Sequence, residues 1–172
     1  MDRQPIPAAA ELVYPGVMTA AATIGVETPL QEDVAVLLSL ADAVAARLYP
    51  DAQRRPITPE SLAVAGTHVL VARIAGAAAG LCAVIERGAG AVELKRMIVA
   101  AEARGRGVGS ALVRGAETEA RRLGARTIVL EVGSRNTEAQ ALYRRAGFTR
   151  RGPFPPYRAL PVSLFLERAI PA

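Results

Sequence analysis

"IVAAEARGRGVGSAL" (Ile98–Leu112) joins the end of an aliphatic strand to the start of a helix-like run, and its middle gives up side chains while keeping charge. Gly105, Gly107 and Gly109 fall at alternate positions, with Arg104 and Arg106 among them. Glycine lets backbone N–H groups approach a ligand closely, and arginine favours anions. At a strand-to-helix junction, successive amides and the positive end of the helix dipole converge on one point, which suits a phosphate. Nucleotides, nucleic acids and coenzyme A all use such loops. The flanking sequence has to choose among them, and against a plain glycine-rich turn.

Charge narrows the choice. The chain has 172 residues and a formal net charge of +5. Residues 104–151 hold eleven arginines against Glu117, Glu119, Glu131 and Glu138, whereas residues 1–103 are slightly acidic. A basic segment on an otherwise balanced chain points to a local anion site. The length fits one domain with its own core, and 51% hydrophobic with 22% charged residues is ordinary for a globular protein. No apolar run approaches the roughly 20 residues of a membrane span. Pro7, Glu11 and Pro15 break up the N-terminal stretch, which makes a poor signal peptide, so a cytoplasmic location is expected. With Cys82 and His68 the single residues of their kinds, neither a disulfide within the chain nor a metal site is expected.

Residues 1–17 show no sustained period and are expected to form a flexible extension, leaving 18–172 as a single domain. "TIGVE" (23–27) predicts a strand. Thr28, Pro29 and Gln31 then predict an N-cap, a first-turn proline and a capping-box partner for a helix from Leu30 to Leu48. Thr58-Pro59 repeats the cap signal before a shorter helix. "THVLVARI" (67–74), "AAAGLCAVIE" (77–86) and "AVELKRMIV" (91–99), parted by glycine turns, predict an antiparallel meander. A helix from Gly107 to Leu123, a strand at 127–132, a helix from Asn136 to Ala146 capped by Asn136, and a strand at 162–168 complete an α/β (α+β) order.

Known phosphate loops fit poorly. A P-loop ends in Gly-Lys-Ser/Thr, and "GVGSA" has no lysine. A dinucleotide fingerprint needs G-x-G-x-x-G in a parallel unit, not G-x-G-x-G after a meander. An Arg-Gly segment for RNA would be interleaved with aromatics, and none lies near.

From Glu93 to Phe148 the sequence resembles the GCN5-related N-acetyltransferase superfamily. The pattern Arg/Gln-x-x-Gly-x-Gly/Ala matches Arg104, Gly107 and Gly109, preceded by Ile98-Val99. The downstream pattern Asn-x-x-Ala…Leu-Tyr…Gly-Phe matches Asn136, Ala139, Leu142, Tyr143, Gly147 and Phe148. Ala100-Ala101 stands where many relatives carry a proline. The resemblance implies a mixed, mostly antiparallel seven-stranded sheet, splayed after its fourth strand and flanked by about four helices. It places acetyl-CoA in the splay as co-substrate, its pantetheine along the backbone of Ile98 and Val99. Its pyrophosphate would lie on Arg104, Gly105, Arg106, Gly107, Val108, Gly109 and Ser110. Asn136 and Ala139 belong to the same coenzyme site.

The implied reaction is direct acetyl transfer to the primary amine of a small molecule, without metal, nucleic acid or membrane; a homodimer is compatible with the family. Tyr143 would protonate the leaving thiolate, or simply pack. Glu93 would take the amine proton, directly or through water, with Glu131 in reserve. The competing reading of Glu93 is a solvated strand glutamate paired with Lys95, which shares its face. A coenzyme-binding module that has lost activity, and an arginine-rich nucleic-acid binder, are the alternatives. His68 and Cys82 read as structural residues. Of Arg144, Arg145, Arg150 and Arg151, at least two are expected at the surface. "GPFPPYRALPVS" (152–163) either lines the acceptor pocket, with Tyr157 in contact, or covers a sheet edge.

Overall fold

The glycine turns make the hairpins. Ala75-Gly76 takes left-handed backbone (φ +49° and +82°), the geometry that matches the twist of two antiparallel strands. The computed structural model describes residues 12–13, 22–53 and 55–171. In chain order these give β1 (Leu12–Val13), β2 (Thr23–Glu27), α1 (Glu32–Leu48), α2 (Pro59–Leu62), β3 (Thr67–Ile74), β4 (Ala77–Gly88) and β5 (Ala91–Val99). After a short 3-10 turn (Ala101–Ala103) come α3 (Val108–Arg122), β6 (Thr127–Gly133), α4 (Thr137–Arg145), β7 (Thr149–Arg151) and β8 (Ser163–Ala169). The strands of the described residues join one sheet in the order β1-β2-β3-β4-β5-β6-β8-β7. Among them only β5 and β6 run parallel to each other as neighbours.

The mixed seven-stranded sheet and four helices are therefore present, with β1 added at one edge. Leu12 and Val13 fall within the expected N-terminal extension and pair with Val26 and Gly25. The other residues of that extension lie outside the described residues. β7 has only three residues, Thr149-Arg150-Arg151, too short and too charged to show a period.

One boundary moves for a physical reason. α1 begins at Glu32, with Gln31 at the N-cap and no side-chain cap. Arg73, from β3, takes Gln31 out of the expected capping box. Its guanidinium donates to Glu27 Oε1 and Oε2 at 2.8 and 2.7 Å, to Asp33 Oδ2 at 2.8 Å and to Gln31 Oε1 at 3.0 Å. Charge-assisted bonds of this kind outweigh a neutral cap. Asn136 does cap α4 as expected, its Oδ1 accepting from Ala139 N at 3.1 Å.

Ala79–Val84 of β4 are all buried, so the sheet's centre is covered on both faces. α3 packs there through Ala111, Leu112, Ala116 and Ala120. It lies close because position 115 is glycine: a methyl there would meet Ile24 Cγ2 at 2.7 Å.

What positions the site is the way β5 parts from β6. Their pairing runs from Ala91–Thr127 to Glu93–Val129 and stops. Just beyond, Ala83 pairs with Lys95 and Leu81 with Ile98, so Arg96 and Met97 both oppose Cys82. That is a β-bulge, with Arg96 in left-handed backbone at φ +59°. A bulge bends its strand and sharpens its twist. The last third of β5 therefore swings away from β6 and leaves one backbone edge unpaired.

Candidate active site

A cavity of about 330 Å³ opens at this splay. Met97, Ile98 and Val99 form its β5 wall. Arg104, Gly105, Gly107, Val108, Gly109 and Ser110 form its floor, and Asn136, Ala139, Leu142 and Arg145 its α4 side. Ten of the eleven residues expected at the coenzyme site thus come together. Arg106 is the exception: it is exposed and outside the wall, because the left-handed turns at Gly105 (φ +72°) and Gly107 (φ +78°) put it on the outer side of the loop.

The three glycines serve two purposes. Gly105 and Gly107 supply left-handed backbone, strained for any other residue. Gly109 supplies space: a methyl there would meet Leu142 Cδ2 at 3.2 Å, tight enough that the leucine would have to shift by a few tenths of an ångström. Gly107 is the N-cap of α3, with no side-chain cap and no acid in the first turn. The helix's first amides and the positive end of its dipole are thus left for an outside anion. Arg104 folds back, its Nε donating to Val99 O at 3.4 Å.

Around the N-terminal half of β5 the chemistry changes. Glu93 is fully buried. Arg87 holds its Oε2, with Nε at 2.6 Å and Nη2 also bonded. Tyr157 donates its hydroxyl to Oε1 at 2.5 Å and accepts from Lys95 Nζ at 2.5 Å. Lys95 Nζ lies 3.6 Å from Oε1, so the two do share a face, but Glu93 is not a solvated residue. The 152–163 loop brings Tyr157 here on an aromatic foot: Phe154 and Phe165 are buried with Val129, and Phe154 meets the Tyr157 ring edge-on at 5.0 Å. Burial pushes the Tyr157 hydroxyl well above its usual range, with the Glu93 bond adding to it.

Neither expected catalytic residue lines the cavity. Tyr143 is only 5% exposed and stacks tilted on Phe148 at 5.5 Å. Burial raises its hydroxyl far above the ordinary tyrosine value, with Cys82 and Glu131 adding to the shift. Cys82 is an inert buried thiol, pushed up to about 12 by burial. His68 bridges Glu86 and Glu119 at 3.0 Å each, a structural histidine. Sequence reading missed Val44 of α1, Met97, Ala103 and Glu138 in the wall. Arg144 and Arg150 are exposed, Arg151 pairs with Glu167 at 2.9 Å, and only Arg145 of the four reaches the cavity.

Comparison with known proteins shows the family to which the chain belongs. The model of the acetyltransferase (GNAT) family matches residues 37–148. The chain belongs to this family. An IAA acetyltransferase of Azospirillum brasilense is 39% identical over 149 residues, spanning 86% of this chain and 97% of that one. Among solved structures, a Klebsiella pneumoniae protein assigned as an acyl-CoA N-acyltransferase superposes with a TM-score of 0.73 at 29% identity. The match covers 87% of this acetyltransferase and 97% of that chain. A Staphylococcus aureus acetyltransferase of the same family shares the fold at 16% identity, TM-score 0.71, covering 88% and 100% of the two chains. The enzyme is thus an acyl-CoA-dependent N-acyltransferase. Among the described residues no helix is long and apolar enough to cross a membrane.

The residues present suit the family's acetyl-CoA. A free strand edge can pair with the amide-bearing pantetheine, and an uncapped helix N-terminus can take its pyrophosphate.

Proposed function

We propose that the enzyme transfers the acetyl group of acetyl-CoA directly to the primary amine of a small molecule. The observation that carries this reading is the unpaired β5 edge at Ile98 and Val99, which opens into a cavity ending on the uncapped start of α3. Acetyl-CoA supplies an activated thioester. The chain supplies position, which accounts for much of the acceleration in such a reaction.

Ile98 and Val99 hold the pantetheine through backbone, and the amides of 104–110, with Asn136 and Ala139 beside them, hold the phosphates. A backbone N–H of the bulged segment polarises the acyl oxygen. Tyr143 gives its proton to the departing sulfur. Its raised hydroxyl stays protonated throughout the neutral and mildly alkaline range, as a proton donor must. Glu93 is the ultimate proton acceptor. Because Arg87 occupies Oε2 and Tyr157 occupies Oε1, the amine's proton passes to the Tyr157 oxygen while the tyrosine's own proton moves to Glu93.

Support for a small acceptor comes from the named relative, an IAA acetyltransferase. The test is steady-state kinetics over a panel of primary amines. Direct transfer predicts intersecting double-reciprocal lines, a kcat lowered by Tyr143→Phe, and no alkaline fall in kcat below about pH 10 from loss of the Tyr143 proton. Parallel lines with a trapped acetyl-enzyme would refute it.

A further inference from the structure

The bulge in β5 gathers more positive charge than the enzyme neutralises. Arg87 and Lys95 flank one buried carboxylate, Glu93, and Arg96 follows Lys95 directly in the bulged strand. Arg87 and Lys95 share that carboxylate. Arg96 has no ion pair and no side-chain hydrogen bond among the described residues, although it is only half exposed. Its charge is nevertheless felt at Lys95. Burial pushes the Lys95 ammonium below its ordinary range, Glu93 pulls it back, and Arg96 and Arg87 push it down again. Glu131, the nearby acid of β6, acts on Tyr143 and Tyr157 and pairs with neither Lys95 nor Arg96.

Two further features set Arg96 apart, one of them its position beside the β5 wall of the cavity. Arg96 is the chain neighbour of Met97, which lines the cavity. It also sits in left-handed backbone at φ +59°, a strained state for a residue with a side chain. Such strain concentrates where a group must be held for function. Like charges set side by side without a counter-ion disfavour the fold, and an anionic ligand relieves them.

We propose that Arg96 and Lys95 form a carboxylate subsite for the acceptor, so that the preferred substrates are α-amino acids or amines with a carboxylate close to the amine. This rests on the N-acetyltransferase reading. A guanidinium binds a carboxylate through two parallel N–H bonds, and the ammonium has donors beyond the one spent on Tyr157. The subsite orients the acceptor with its amine toward the Tyr157–Glu93 pair, beside the β5 edge.

The test is calorimetric titration with product analogues in pairs. N-acetylglycine, N-acetylalanine and N-acetylphenylalanine are compared with N-methylacetamide, N-ethylacetamide and N-(2-phenylethyl)acetamide, which lack only the carboxylate. Each is titrated with and without saturating coenzyme A, into the wild-type enzyme and into Arg96→Gln and Arg96→Lys. At least one acid is expected to bind about tenfold or more tightly than its neutral partner. Arg96→Gln is expected to erase the difference and Arg96→Lys to keep part of it, with coenzyme affinity unchanged as the check on folding. Equal binding within every pair, a preference that survives in Arg96→Gln, or no binding of any acid overturns the subsite. Failure of coenzyme A itself to bind strikes instead at the acetyltransferase reading; the acid-against-neutral comparison without coenzyme is then judged by the same criteria.

Discussion

In its first half β5 is a side-chain surface: Glu93 is fully buried and fixed by Arg87, Lys95 and Tyr157. From Met97 to Val99 the same strand offers backbone, with its edge unpaired and the glycine loop beneath it. A single bulge at Arg96-Met97 separates the two regimes. The contrast divides the labour of a two-substrate enzyme. On the proposed function, one half suits a coenzyme that is the same in every turnover and can be held by amides and a helix dipole. The other carries the titratable groups assigned to the acceptor.

Substitutions can break this division selectively. The largest effect is expected for Glu93→Gln: kcat falls about 100- to 10,000-fold while the coenzyme Kd changes little. Removing the buried charge leaves Arg87 and Lys95 short of a partner, so urea denaturation is also expected to show a loss of about 2 kcal/mol. An equal fall in coenzyme affinity would mean that the two halves are one site. Next comes Gly107→Val, which forces a β-branched residue into left-handed backbone (φ +78°) and covers the amides at the start of α3. Losing two charge-assisted bonds should raise the coenzyme Kd about 100-fold or more, measured by calorimetry on protein whose circular dichroism is unchanged. Tyr157→Phe is the mildest. It removes the hydroxyl between Lys95 and Glu93, and a kcat lowered about tenfold with unaltered coenzyme KM would identify Tyr157 as part of the acceptor half.

The same contrast governs how far the sequence could be read. The proposed coenzyme half is local: its glycine spacing, Ile98-Val99 and the cap at Asn136 sit in short stretches, and of the residues named for it all but Arg106 line one cavity. The acceptor half is assembled from a distance. Tyr157 reaches Glu93 across 64 residues, and nothing in "GPFPPYRALPVS" says which face its ring will meet. The bulge at Arg96 was hidden because "AVELKRMIV" reads as an uninterrupted strand. Likewise the start of α1 depends on Arg73, about 40 residues away, and not on its own cap signal. Periodicity and caps are short-range signals, whereas a buried network forms only once the sheet has brought its members together.

The proposed function stands or falls with coenzyme binding in the cradle of Ile98, Val99 and residues 104–110. The most direct test is calorimetric titration of the wild-type enzyme with acetyl-CoA, run beside coenzyme A, ATP and a short RNA. Saturable binding of acetyl-CoA and coenzyme A, much tighter than ATP and with no salt-sensitive uptake of RNA, is the predicted result. Well-folded protein that ignores both coenzymes, or that prefers the RNA, would contradict it.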